Sequence, residues 1–215
     1  KYAQAIGTLD KAFDYAAREC NPVLMMKIQV FLGNCYSELQ QYEQMEQCYQ
    51  RAESILRYTN YSRNEEYQSS IHYNRGSTFL QDGMVQKALD CLSSCTVREG
   101  HFYHRMAICM EKTGQREKGL QLIEEGLAQL NTKDDNQPRY RRLKLVQFRL
   151  EHPDYLQQPD YEQLLFRCKD SLKNAPQGWL RFELPWVLEL LAYKRRYKEI
   201  ATLLQQFSSI DIKLP

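Results

Sequence analysis

Four times along the chain a residue of the first helix in a pair is followed by core positions at fixed offsets of three, twelve, sixteen and nineteen. Gly33 leads to Tyr36, Met45, Tyr49 and Ala52, and Gly76 to Phe79, Ala88, Leu92 and Cys95. Ala107 leads to Met110, Gly119, Ile123 and Gly126, and Leu188 to Leu191, Ile200, Leu204 and Phe207. Spacings of three and four mark helix faces, and a block that recurs along the chain marks helix-turn-helix units stacked on copies of themselves. The pattern therefore predicts an all-α chain arranged as a solenoid. Stacked helix pairs bury their small residues against each other and leave one curved face free for a partner.

The same pattern sets the element boundaries. A partial first unit covers about 1–22, and repeats are expected at about 23–58, 64–96, 99–130, 139–174 and 179–209 within a single repeat domain. Pro22 restarts a helix, and the turns at Gln81-Asp82-Gly83 and Thr113-Gly114 fall at equivalent places, where glycine supplies the left-handed conformation that ends a helix. The polar run 131–138 reads as an exposed connection. The unit after it is the least regular, interrupted at His152-Pro153-Asp154 and Gln158-Pro159-Asp160. Ala5, Leu9 and Ala12 repeat a second-helix spacing with no first helix before them, so an N-terminal output domain is expected upstream of this chain.

Charge and composition remove several function classes. With 29 Lys and Arg against 27 Asp and Glu, the chain carries no global drive toward nucleic acid or an anionic membrane. No apolar run approaches the roughly 20 residues that span a bilayer. Seven cysteines, an odd number lying mostly inside helical apolar patterns, point to reduced thiols and a cytoplasmic location. No glycine-rich phosphate loop or Ser-His-acid arrangement is visible, and Glu124-Glu125 and Asp134-Asp135 read as a solvated helix face and a loop; neither an enzyme nor a cofactor is expected.

Leu32-Gly33, Tyr36 and Ala52 resemble the tetratricopeptide repeat (TPR), as do Gly76, Phe79, Ala88 and Leu92 with Arg75 in place of the usual leucine. The third and last repeats match in spacing only. The resemblance covers nearly the whole chain and implies a right-handed superhelix. Uneven, long repeats are similar to those of cytosolic peptide-pheromone receptors of Gram-positive bacteria, whose members join the array to a DNA-binding domain or to a helical bundle acting on response regulators. That likeness implies the peptide-sensing domain of a bacterial transcriptional regulator, with DNA contacted only through the missing N-terminal domain. The alternatives are a general interaction scaffold or co-chaperone-like module, and the sensing part of a response-regulator phosphatase.

The core register nominates the residues that face inward from the first helices. One step after each leading residue stand Asn34, Ser77, Ile108 and Glu189; two steps before stand Phe31, Asn74, Arg105 and Trp186; three steps before stand Val30, Tyr73, His104 and Pro185. Asn34 and Asn74 are suited to pair with both groups of a peptide bond, Tyr73 and Tyr36 offer aromatic area, and Arg105 is suited to a carboxylate. Arg105, Asn34 and Asn74 also resemble part of the carboxylate clamp of co-chaperone repeats, with His101 in place of one lysine and Lys27 as a further source of positive charge. The candidate peptide site is thus Lys27, Asn34, Tyr73, Asn74, Ser77, His101, His104 and Arg105.

Three further clusters are weaker. Cys91, Cys95, His101 and His104 carry zinc-binding atoms at an unusual spacing and read better as structural thiols and groove residues; no metal is expected. Arg139 to Arg142 and Lys194 to Arg196 read as solvated basic surface. Trp179, Phe182, Trp186 and Phe207 exceed what one helix pair hides, which predicts a homodimer through the C-terminal repeats or a cap by 210–214.

Overall fold

The computed structural model describes residues 2–59, 61–99, 101–131, 137–172 and 177–207, the side chains of 167–182 excepted. These residues form eleven α-helices and one short 3-10 helix, with no strand among them. In chain order the α-helices are α1 (Tyr2–Arg18), α2 (Pro22–Glu38), α3 (Tyr42–Tyr58), α4 (Asn64–Gln81), α5 (Val85–Ser93) and α6 (His101–Lys112). They continue as α7 (Arg116–Ala128), α8 (Pro138–Glu151), α9 (Pro159–Leu172), α10 (Gln177–Tyr193) and α11 (Tyr197–Gln206), with the 3-10 helix at Tyr155–Gln157 between α8 and α9. The chain divides into two compact units, Lys1–Thr78 with Asp90–Val97, and Phe79–Leu89 with Arg98–Pro215.

One turn recurs throughout, and it explains why the spacing is so regular. Seven residues after Gly33, Gly76, Ala107 and Leu188 the backbone enters the left-handed region, at Gln40 (φ 58°), Gly83 (φ 73°), Gly114 (φ 71°) and Arg195 (φ 56°). The next residue then donates its N–H to a carbonyl five positions back: Gln41 to Tyr36 (2.9 Å), Met84 to Phe79, Gln115 to Met110 and Arg196 to Leu191 (each 2.8 Å). This is the left-handed helix cap, which satisfies orphan carbonyls at the end of one helix while aiming the chain back along it. The link from α1 to α2 is built the same way, with Cys20 at φ 50° and Asn21 donating to the Ala16 carbonyl at 2.9 Å. Asn21 then caps α2 by accepting from the Leu24 N–H at 3.0 Å, and Pro22 sits in its first turn, where no intrahelical N–H bond is lost.

Size complementarity across each pair sets which residues close the core. A Cβ on Gly33 would lie 2.5 Å from a ring carbon of Tyr49, so the absent side chain is what lets the fully buried tyrosine lie flat across α2. Gly119 and Gly126 do the same for Leu150 and Tyr103, whose nearest atoms would stand 2.8 and 2.7 Å from an added Cβ. At the last pair this complementarity is missing, and the expected register fails in one place. Leu204 is 39 % exposed while Leu203 is buried, and the leading position of this pair holds a bulky buried Leu188 where the first pair has Gly33.

In the first unit Ala16, Ile28, Leu32 and Cys48 form a buried cluster joined by Ile6, Leu9, Phe13 and Tyr36. Tyr36, which is half-buried, thus packs against this cluster with part of its surface. In the second unit the interrupted segment after α8 is held by Arg149. Its guanidinium pairs with Glu111 (2.6 Å) and Glu189 (2.8 Å), donates to the Tyr161 hydroxyl (3.1 Å), and covers the rings of Tyr155 and Trp186 at 4.3 and 5.2 Å. Tyr155 completes the set by donating to Glu189 at 2.8 Å. One side chain thus ties α6, α8, the 3-10 helix, α9 and α10 where Pro153 and Pro159 break the repeat.

Candidate functional site

The candidate residues fall into two environments. Lys27 and Asn34 on α2, and Tyr73, Asn74 and Ser77 on α4, are half-buried side chains of the first unit. Two contacts tie these helices together. The hydroxyls of Ser37 and Thr78 lie 2.7 Å apart, with Thr78 also donating to the Asn74 carbonyl at 3.0 Å, and the Lys27 ammonium stands 5.6 Å from the centre of the Tyr67 ring. Phe31, one turn before Asn34 on the same face of α2, is 57 % exposed.

Behind this face lies a chain of polar contacts. The Tyr49 hydroxyl donates to Asn34 Oδ1 at 2.7 Å, and the Arg75 guanidinium lies 5.4 Å from the Tyr49 ring centre. Arg75 is in turn fixed by Glu46 (2.9 Å) and Glu53 (3.0 Å). Burial raises the Tyr49 pKa well above its ordinary value, so the phenol keeps its proton and remains a donor at any physiological pH. The Ser77 hydroxyl is shielded and makes no hydrogen bond among the described residues.

His101, His104 and Arg105 belong to the second unit, and their surroundings differ from the open face expected of them. His104 is 2 % and Arg105 6 % exposed, with Arg105 Nη1 2.8 Å from His104 Nδ1. The reason is local: Phe102 to Met110 form an unbroken buried run, so α6 is covered all round and presents no free stripe. His104 packs edge-on against Trp186, with ring centres 6.0 Å apart. His101, at the first turn of α6, is half-buried, and its pKa is lowered to about 4 by burial and by the neighbouring Arg105, Arg142 and Arg139.

The weaker clusters are also revised. Arg141 and Arg142 are buried, not solvated, and Arg142 pairs with the equally buried Glu183 at 2.6 Å. Lys194 and Arg196 both pair with Glu162. Trp186 and Phe207 are buried within their own unit; the large side chains left exposed there include Tyr193, Tyr197 and Leu204. The side chains of Trp179 and Phe182, and the segment 210–214, lie outside the described residues. Cys95 is buried with its thiol on the Ser69 carbonyl at 3.6 Å, and among the described residues no group of three or more His, Cys, Asp or Glu is placed to hold a metal ion. No helix among the described residues is long and apolar enough to cross a membrane.

The register nominated Asn34, Tyr73, Asn74 and Ser77, and the clamp likeness Lys27, whereas their neighbours Tyr49, Thr78 and Tyr67 were not nominated. The available signal was the pairing of Gly33 with a tyrosine sixteen residues later, the one repeat in which the smallest leading residue faces so large a partner. No family model, curated protein or solved structure matches this chain.

Proposed function

We propose that this chain is the ligand-sensing domain of a bacterial transcriptional regulator, a right-handed TPR-like solenoid that binds a short peptide and carries no catalytic activity of its own. The five equivalent left-handed caps and the glycine-to-tyrosine packing support the repeat reading. The peptide reading rests on one observation above the others. The α2 and α4 face sets the half-buried amides of Asn34 and Asn74 on neighbouring helices, beside an exposed Phe31. Amides recognise peptide backbone whatever its sequence, and an exposed aromatic ring gives an apolar side chain a surface to leave water on. In a peptide-sensing regulator the DNA-binding part is a separate domain, and the peptide acts by shifting the conformation or association of the array.

Calorimetry with a library of short peptides tests this. Binding to the wild-type chain is expected, weakened about tenfold or more by Asn34→Ala and by Asn74→Ala, the loss of about 1.4 kcal/mol that follows when a desolvated hydrogen bond disappears. Binding that neither substitution weakens would exclude this face. Affinity confined to folded proteins or long segments would favour the interaction-scaffold alternative.

A further inference from the structure

The contact between Tyr49 and Asn34 fixes which half of the Asn34 amide a ligand meets. We propose that Tyr49 is a positioning residue for the peptide-binding face. Its hydroxyl holds the Asn34 carbonyl oxygen inward, so Asn34 offers a ligand N–H donors, and the group it takes is a peptide carbonyl oxygen next to an apolar side chain seated on Phe31. The inference rests on the peptide reading for its ligand, but its core is a statement about the free chain.

The contact depends on Gly33. Because that position carries no side chain, the Tyr49 ring lies against α2 and delivers its hydroxyl to the next residue, Asn34, at 2.7 Å. Tyr49 is completely buried, so its O–H has no water to turn to. If the Asn34 amide were reversed, its NH2 would face the phenol oxygen and the phenol proton would be left without an acceptor. Leaving a buried donor unsatisfied is a substantial penalty, so the orientation with Oδ1 toward Tyr49 is held firmly. The ring itself is held by Arg75, whose guanidinium lies over it and is locked by two carboxylates, Glu46 and Glu53. The Asn34 NH2 makes no hydrogen bond among the described residues, and Asn34 is itself only half-buried.

This sharpens the ligand. An asparagine free to turn would pair with the N–H and the C=O of a peptide bond together; one whose oxygen is turned to a buried phenol selects for an acceptor. Phe31 lies three residues before Asn34, so one helical turn separates the donor from the exposed ring. A residue whose carbonyl reaches Asn34 therefore has its own or its neighbour's side chain within reach of Phe31.

Asn34→Asp provides the decisive variant, because it keeps an oxygen for Tyr49 and replaces the outward NH2 by an acceptor. The probe is a pool of acetylated, amidated pentapeptides with Leu or Phe at the centre, titrated into wild type, Asn34→Asp, Asn34→Ala and Tyr49→Phe. We expect Asn34→Asp to lose affinity at least as far as Asn34→Ala, about tenfold or more, with its helix content unchanged, and Tyr49→Phe to lose severalfold because the amide is freed to turn. Wild-type affinity in Asn34→Asp would overturn the proposal. A second readout needs no ligand: in the NMR spectrum of the free chain, the Asn34 side-chain NH2 should show no strong Overhauser contact to the Tyr49 ring protons, and its resonances should move in Tyr49→Phe. A strong contact would mean the amide is reversed and the inference wrong. If the wild type binds none of the pool, the peptide reading fails, while the NMR result still decides the orientation.

Discussion

At the scale of single residues, the chain is governed by what is absent at Gly33. The Cβ of an alanine there would stand 2.5 Å from the Tyr49 ring, and the ring cannot retreat because it is fully buried under Arg75. Gly33→Ala should raise intrinsic helix propensity by up to about 1 kcal/mol and yet destabilise the fold, because overpacking of a tight core costs about 1–3 kcal/mol. A net loss of stability in urea unfolding is the expected result, accompanied by loss of the Tyr49 to Asn34 hydrogen bond. The same substitution at Gly7, where an added Cβ meets nothing within 4 Å, should be neutral or stabilising, which separates packing from propensity. Asn34 and Asn74 were legible in the sequence because register alone places them. Their neighbours Tyr49 and Thr78 were not, since Tyr49 meets Asn34 across fifteen residues and Thr78 meets Ser37 across 41, contacts that depend on how the helices pack.

At the scale of elements, the turns show what a pattern of residue types does and does not reveal. Gly83 and Gly114 announce left-handed caps because glycine pays no steric cost there, whereas Gln40, Arg195 and Cys20 adopt the same conformation without advertising it. For Gln40 and Arg195 the equal spacing from the leading residue identifies them; Cys20 has no leading residue before it. The interrupted segment after α8 was legible as an interruption, through Pro153 and Pro159, but not in what replaces the lost packing. Arg149 does that, with two carboxylates, a phenol and two aromatic faces around one planar group. A lysine has the charge but neither the fork nor the flat face, so Arg149→Lys should destabilise the second unit by about 2–3 kcal/mol in urea unfolding. A change under about 0.5 kcal/mol, the ordinary range for surface substitutions, would show that the network contributes little.

At the scale of the whole molecule, an almost balanced net charge hides a concentration of positive groups around two histidines. His101 is faced by Arg105 on its own helix and by Arg139 and Arg142 on α8; His104 is faced by Arg105, Arg142 and His101. For both, burial is the larger cause and the arginines add to it, lowering the pKa to about 4 for His101 and well below its usual value for His104. The sequence marked these residues as groove groups; burial of α6 makes their titration a matter of stability. In the folded chain both imidazoles stay neutral while in the unfolded chain they take up protons near pH 6.5. The unfolded state therefore binds more protons below that pH, and stability must fall as the pH drops from about 6.5 toward 4. Melting temperatures measured between pH 7 and 5, above the ordinary carboxylate range near 4, should decline steadily for the wild type. His101→Gln removes one of these titrations and should flatten that decline, whatever its effect on stability at pH 7; His72, whose pKa is also lowered by burial, contributes to the slope that remains. A slope identical to that of the wild type would mean that His101 is as readily protonated in the folded chain as in the unfolded one, and that the arginines around it are neutralised where they stand.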